Sequence, residues 1–320
     1  MVSMSIPRFP RASFPLFSRS RALSSSSLSV PTLFSVTGKS VLITGGGRGI
    51  GRMLAEGFVA NGCSVYISAR DKSILDETAE QLNALGSGGR CIAIEGNLGS
   101  REGCEALAST IEELEPNGLN VLVNNSGTSW GEPLSRKSGR MNWGFDKVFD
   151  LNVKAPFYLT RALLPSLRRA AVDDDPGRVI MIGSVVGVTH QEVPTHAYDA
   201  SKAAVHSLTR KLAFELAQVP ATRDEDLNEV SDVDTELEGR ITVNCLAPGY
   251  VPTKMTQGLA AWGADEDSTS DVIPLGRMGM GSDLAGAAIY LASPAGRWVT
   301  GAVLPVDGGI LAQPISIGAS

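Results

Sequence analysis

Tyr198 and Lys202 stand four residues apart in the stretch THAYDASKAAV. On a helix, positions i and i+4 share a face, so this spacing sets an ammonium beside a phenol. A positive charge there favours the phenolate and lowers the phenol's pKa. That would make the tyrosine usable as a proton donor near neutral pH. Ser184 closes the apolar run IMIGS fourteen residues earlier. A hydroxyl at that place, brought beside the phenol, could hold a carbonyl oxygen while it is protonated. No G-x-S-x-G elbow surrounds Ser184, which argues against a hydrolase nucleophile.

A second chemistry-bearing stretch, LITGGGRGIGRML, places Gly45, Gly49 and Gly51 between an apolar run and a helical pattern. Glycine lets the backbone turn tightly and approach a pyrophosphate, and the helix N-terminus adds N–H groups and positive dipole. The loop therefore reads as a dinucleotide cradle rather than a turn that only packs a helix on a strand. The next apolar run ends YISARDK. An acid at this strand end would take the ribose 2′-hydroxyl of NAD, but Ser68 and Ala69 are neutral and Arg70 follows. With Arg48 inside the glycine loop, two guanidiniums suit a 2′-phosphate, so NADP(H) is expected over NAD(H), with Asp71 as an opposing charge. Asn124, in VNNSG, ends the fourth run. It can bond neighbouring backbone in an Asx turn or reach an adenine ribose.

These residues need a scaffold, and the chain alternates from residue 39 onward. KSVLIT, CSVYIS, RCIAIEG, LNVLVNN, RVIMIGS, RITVNCLAPG and AVLPVDGG read as seven short strands. Between them lie helical patterns, including one over roughly 144–171, one over 198–218 and one near 282–293. Apolar strands alternating with helices indicate βαβ units and a parallel sheet covered on both faces. The expected fold class is α/β: one doubly wound Rossmann domain over 36–320 with a seven-stranded parallel sheet. The stretch 221–239 holds eight acids between a helix and a strand and reads as a solvated surface insertion.

The chain has 320 residues and a net charge of −6, which argues against a general nucleic-acid binder. No apolar run approaches the ~20 residues of a membrane span. Cys63, Cys91, Cys104 and Cys245 fit no zinc or C-x-x-C spacing and read as reduced, buried thiols; no metal site is expected. Residues 1–35 differ from the rest. They carry Arg8, Arg11, Arg19 and Arg21 and many serines, and the first acid of the chain is Glu56. Arg-rich, Ser-rich and acid-poor is the composition of a mitochondrial transit peptide, the alternative being a disordered tail on a cytoplasmic protein.

In order and spacing, TGGGRGIG, NNSG, LNV, GS, YDASK, APGYVPT and VDGG resemble the short-chain dehydrogenases/reductases, over about residues 38–310. IGSVVGV, AYDASKAAVHSLTRKLA and IPLGRMG are most similar to the 3-oxoacyl-[acyl-carrier-protein] reductases of the rhamnolipid-biosynthesis branch. The resemblance implies an NADPH-dependent reduction of a ketone, such as a 3-oxoacyl thioester. It implies Tyr198 as general acid, Lys202 lowering its pKa and binding the nicotinamide ribose, and Ser184 holding the carbonyl oxygen. Asn152 would sustain a water relay to Lys202 by perturbing its helix. Cofactor contacts are implied for Thr44, Gly45, Arg48, Gly49, Ile50, Gly51, Arg70, Asn97, Leu98, Asn124, Ser126, Gly127, Pro248, Gly249, Val251 and Thr253. A homotetramer through the helices near 145–170 and 198–218 is implied, and an acyl carrier protein is a possible partner, with Lys254 and Arg277 as candidate contacts. Rival readings are an NAD(P)-linked alcohol, sugar or steroid dehydrogenase, and a non-catalytic dinucleotide-binding regulator, which would not need Ser184, Tyr198 and Lys202 together. The chain departs from the family pattern at Ser126, at Asn97 in place of an acid, and in a Ser-to-Tyr gap one residue longer that holds His190 and His196. Substrate choice is expected to lie in the Tyr250–Pro274 loop and the His190–His196 segment.

Overall fold

Each apolar run becomes a strand: β1 (Ser40–Thr44), β2 (Ser64–Ala69), β3 (Arg90–Glu95), β4 (Val121–Asn124), β5 (Gly177–Ile182), β6 (Ile241–Pro248) and β7 (Val303–Val306). The computed structural model describes residues 28–137, 143–218, 239–257 and 266–314. Every strand pairing is parallel, and the order is β3-β2-β1-β4-β5-β6-β7. The helices are α1 (Val30–Leu33), α2 (Gly49–Ala60), α3 (Lys72–Asn83), α4 (Arg101–Leu114), α5 (Trp143–Phe149), α6 (Ala155–Ala162), α7 (Leu164–Ala170), α8 (His196–Leu216), α9 (Lys254–Gln257), α10 (Glu266–Asp271) and α11 (Gly281–Ala292).

Side chains alternate across a strand, and here both faces are apolar. Val41 and Ile43 of β1 and Val121 and Val123 of β4 join Leu54, Phe58 and Leu284 in one core, beneath α2, α3 and α11. Leu42 and Leu122 point the other way, into a second core with Ile111, Leu159 and Leu212 from α4, α6 and α8. Burying each such side chain is worth about 1.5–3 kcal/mol, so both layers are held to the sheet. The strand order reverses between β1 and β4, and in open parallel sheets the ligand crevice lies at that point, beyond the carboxyl ends of the strands.

The helix expected over 144–171 is not continuous. A π-turn at Asp150–Lys154 separates α5 from α6, and Leu163 leaves the helical region before α7. Pro156 and Pro165 explain the breaks, because proline has no N–H for the carbonyl four residues back. The first such carbonyl is that of Asn152. At the N-terminal end, the single turn α1 falls within residues 1–35, and Val36 is buried in the core. Residues 1–27 and nearly all of the acidic stretch 221–239 lie outside the described residues. No helix among the described residues is long and apolar enough to cross a membrane. All four cysteines are free and buried.

Candidate active site

A cleft of about 1530 Å³ lies across the switch point. One end is the glycine loop. Gly45 adopts φ +67°, a left-handed conformation that favours glycine. A Cβ on Gly51 would lie 2.3 Å from the Gly45 carbonyl oxygen, so the first turn of α2 can seat on the loop only with glycine there. No side chain caps α2, which leaves its first N–H groups to an anion in the cleft. Arg48 and Arg70 also line the cleft. Arg48 lies 3.8 Å from Asp71, both side chains about half exposed, so the opposing charge is present but solvent-screened. Backbone cradle, uncapped helix and two guanidiniums fit a phosphorylated dinucleotide.

At the other end of the cleft, β5 delivers Ser184 and the first turns of α8 deliver Tyr198 and Lys202; all three face the same space. Ser184 caps the short turn after β5, accepting from the Val186 N–H at 3.3 Å, and its hydroxyl lies close enough to the Tyr198 phenol to favour the phenolate. Lys202 is buried and donates to the Ile182 carbonyl at 2.7 Å, with its Nζ 5.4 Å from the centre of the Tyr198 ring. The expected lowering of the phenol's pKa by Lys202 is not what this geometry produces. Burial pushes Tyr198 up to about 12, the Ser184 hydroxyl opposing and Asp199 adding to the rise. Burial pushes Lys202 down to about 8. The arrangement is thus a phenol that keeps its proton beside an amine that titrates near neutrality.

The remaining expected residues divide by placement. Gly45, Arg48, Gly49, Ile50, Arg70, Asn97, Leu98, Ser126, Gly127, Pro248, Gly249, Val251 and Thr253 line the cleft. Thr44, Gly51, Asn124 and Asn152 are buried behind it. Thr44 Oγ1 accepts from the N–H groups of Asn125 and Ser126, both at 2.9 Å, and so shapes the wall from beneath. Asn124 gives its amide to Thr160 Oγ1 at 3.0 Å and contacts the Met181 sulfur, which removes it from any ribose. Asn152 accepts from the Thr128 N–H at 2.8 Å and donates to the Thr128 carbonyl and to Ser201 Oγ, both at 3.0 Å. Its side chain ties the loop after β4 to α8, a positioning role rather than a direct one. Arg277 is committed to Asp283 through two contacts of 2.7 and 3.1 Å, and only Lys254 of the two carrier-protein candidates lines the cleft. His190 and His196 are exposed and outside this cleft.

Some cleft residues escaped the sequence reading. Asn125 lines the wall and donates to the Thr44 carbonyl at 2.8 Å. Alternation along β4 was the available signal, since it sends Asn124 into a core layer and leaves the next asparagine at the rim. Trp130 also faces the cleft; no local pattern marks it, because loop packing brings it there, whereas Thr195 reaches the cleft from the expected His190–His196 segment.

Residues 39–220 match the family model described as short chain dehydrogenase, and residues 235–311 match that described as Enoyl-(Acyl carrier protein) reductase. The chain is 41% identical over 276 residues to the rhamnolipids biosynthesis 3-oxoacyl-[acyl-carrier-protein] reductase of Pseudomonas aeruginosa, covering 86% of this chain and 97% of that protein. It is 33% identical to the L-tagatose-forming galactitol 2-dehydrogenase of Cereibacter sphaeroides, over 87% of this chain and 97% of that one. Among solved structures it resembles the Pseudomonas aeruginosa RhlG/NADP active-site complex, with TM-score 0.74, 40% identity, and coverage of 87% and 98% of the two chains. The chain belongs to the short-chain dehydrogenase/reductase family and is an NAD(P)-dependent oxidoreductase.

Proposed function

We propose that this protein reduces a ketone to a secondary alcohol with NADPH in preference to NADH. The observation that carries the reading is that Ser184, Tyr198 and Lys202 face the same cleft as the glycine loop, Arg48 and Arg70. When bound, the nicotinamide supplies the hydride. Ser184 holds the carbonyl oxygen, and Tyr198, which keeps its proton well above neutral pH, delivers it to that oxygen as charge develops. Lys202 binds the nicotinamide ribose and exchanges protons near its lowered pKa. Asn152 keeps Thr128 and Ser201 in register around these groups.

The substrate class that fits best is a 3-oxoacyl thioester or a comparable small ketone, supported by the name of the Pseudomonas relative. If the thioester arrives on an acyl carrier protein, Lys254 at the cleft is the residue to meet it. The galactitol dehydrogenase relative favours a second reading, oxidation of a sugar alcohol. Exposed Phe157 on α6 and Phe214 on α8 support a homotetramer joined through those helices. Composition of the first 35 residues supports a mitochondrial address. The deciding test is a screen of the purified chain with NADPH and NADH against β-ketoacyl thioesters, quinones and small ketones, and with NADP⁺ and NAD⁺ against sugar alcohols. Ketone-dependent NADPH consumption is expected. A chain that oxidises sugar alcohols and leaves every ketone untouched would reverse the assignment, and a preference for NADH would overturn the role given to Arg48 and Arg70.

A further inference from the structure

Beside the catalytic cleft lies a chamber, sharing one wall residue with it, that ketone reduction itself does not use. This second cavity measures about 320 Å³, and Trp130 lines both. Pro133, Leu134, Phe145, Pro194 and Ala197 form the apolar part of its wall, and Glu132, Arg136 and His196 the polar part. Several contacts hold this chamber in shape. A Cβ on Gly144 would come within 1.9 Å of the Trp130 ring, so the indole sits directly on the backbone at the start of α5. The Glu132 N–H donates to the Pro194 carbonyl at 2.9 Å and ties together two loops that both line the chamber. Thr195 donates to Asp199 at 2.9 Å and accepts from the Gln191 amide at 2.7 Å, which fixes the second loop on α8. Ala197, on the chamber wall, immediately precedes Tyr198 on α8.

We infer that the chamber receives an apolar tail of the ketone substrate, alkyl or aryl, remote from the reacting carbonyl. This rests on the reading of the cleft as a ketone-reducing site and names the substrate feature that site selects. The volume is at the low end of the ~300–1,000 Å³ of small-molecule pockets, which suits one part of a ligand. The charges at its rim, Glu132 and Arg136, lie 3.8 Å apart as an ion pair and do not call for a charged tail. His196 adds a polar edge where the chamber meets solvent.

The test is steady-state reduction of a homologous series of 3-oxoacyl N-acetylcysteamine thioesters by the full chain with NADPH. In the wild type, kcat/KM should rise about fourfold for each methylene that enters, the usual return for removing one from water, and then level off. Leu134 is 89% exposed at the chamber's lip, so Leu134→Asp should fold; Ala197→Leu fills the chamber from its wall. Both should flatten the rise by lowering the values for longer chains. The same rise in both variants, or no rise in the wild type, overturns the inference. If the wild type reduces no ketone, the reading of the cleft falls. The chamber is then decided by equilibrium binding of a medium-chain secondary alcohol: affinity about tenfold weaker in the variants supports it, and equal affinity or no binding overturns it.

Discussion

His206 lies one turn beyond Lys202 on α8 and is 4% exposed. A Cβ on Gly183 would meet its Nε2 at 2.5 Å, and a Cβ on Gly187 its Cε1 at 2.6 Å. The imidazole is therefore wedged against the two glycines that flank Ser184. Its Nε2 has no hydrogen-bond partner among the described residues. Burial, then the charges of Lys202 and Arg210 on the same helix, push its pKa from 6.5 down to about 4, while a hydrogen bond to the Gly187 backbone pulls the other way. Cys245, which also presses on Gly183 from β6, is pushed up to about 11 by burial and stays neutral, so it offers no counter-charge. The unfolded chain thus binds more protons than the folded one between pH 6.5 and about 4, and stability falls as pH drops through that window. At 1.36 kcal/mol per decade, the full penalty is about 3 kcal/mol. By pH about 4, where the folded group is half titrated, most of it is lost. The assay is urea unfolding of the wild type and His206→Gln near neutral pH and near pH about 4, since groups other than His206 titrate alike in both. His206→Gln should lose about 2–3 kcal/mol less than the wild type over that range. Parallel losses in the two proteins would refute the reasoning.

Three further outcomes follow from other parts of the molecule. Arg70→Ala combined with Ala69→Asp should move the kcat/KM ratio from NADPH toward NADH by roughly 10–100-fold, because one charge-assisted contact to a 2′-phosphate is worth about 1.5–3 kcal/mol; an unchanged ratio would make Arg70 a surface residue. Asp175→Asn should destabilise the fold by about 3 kcal/mol in urea, toward the low end for a broken buried pair, because Asp175 pairs with both Lys39 and Arg178 and the Arg178 side chain is only 1% exposed; a loss under about 1 kcal/mol, the level of a surface pair, would contradict this. Residues 1–35 fused to a reporter should direct it to mitochondria and be shortened in the mature product, whereas a diffuse reporter with an intact N-terminus would reject the address.

The sheet was legible because its strands are short apolar runs whose two faces are both buried, and seven runs became seven strands. Tyr198, Lys202 and Ser184 were legible because helical spacing and a strand end fix where they emerge. What failed were features decided by one residue of phase or by distant packing. Asn124 and Asn125 are adjacent, yet strand alternation buries the first and exposes the second to the cleft. The apolar pattern over 144–171 reads as one helix, but Pro156 and Pro165 lack N–H groups and interrupt it, the first interruption falling at Asn152, where the resemblance implied a local perturbation. The pKa of Tyr198 depends on how the folded chain encloses it, and burial outweighs the opposing effect of Ser184. His206 reads as one more residue of a helical pattern; its place between Gly183 and Gly187 comes from packing of α8 on the end of β5.

In the reaction proposed above, Tyr198 donates the proton that completes carbonyl reduction. Tyr198→Phe removes only the hydroxyl and leaves the ring, Lys202 and the glycine loop in place. The measurement is single-turnover reduction of a ketone by the purified variant at saturating NADPH, with NADPH affinity measured alongside by fluorescence. Cofactor affinity should stay close to the wild type and the rate should fall by about 10²–10⁴-fold, the usual worth of general acid catalysis. A variant that binds NADPH and reduces the ketone at nearly the wild-type rate would contradict this role for Tyr198.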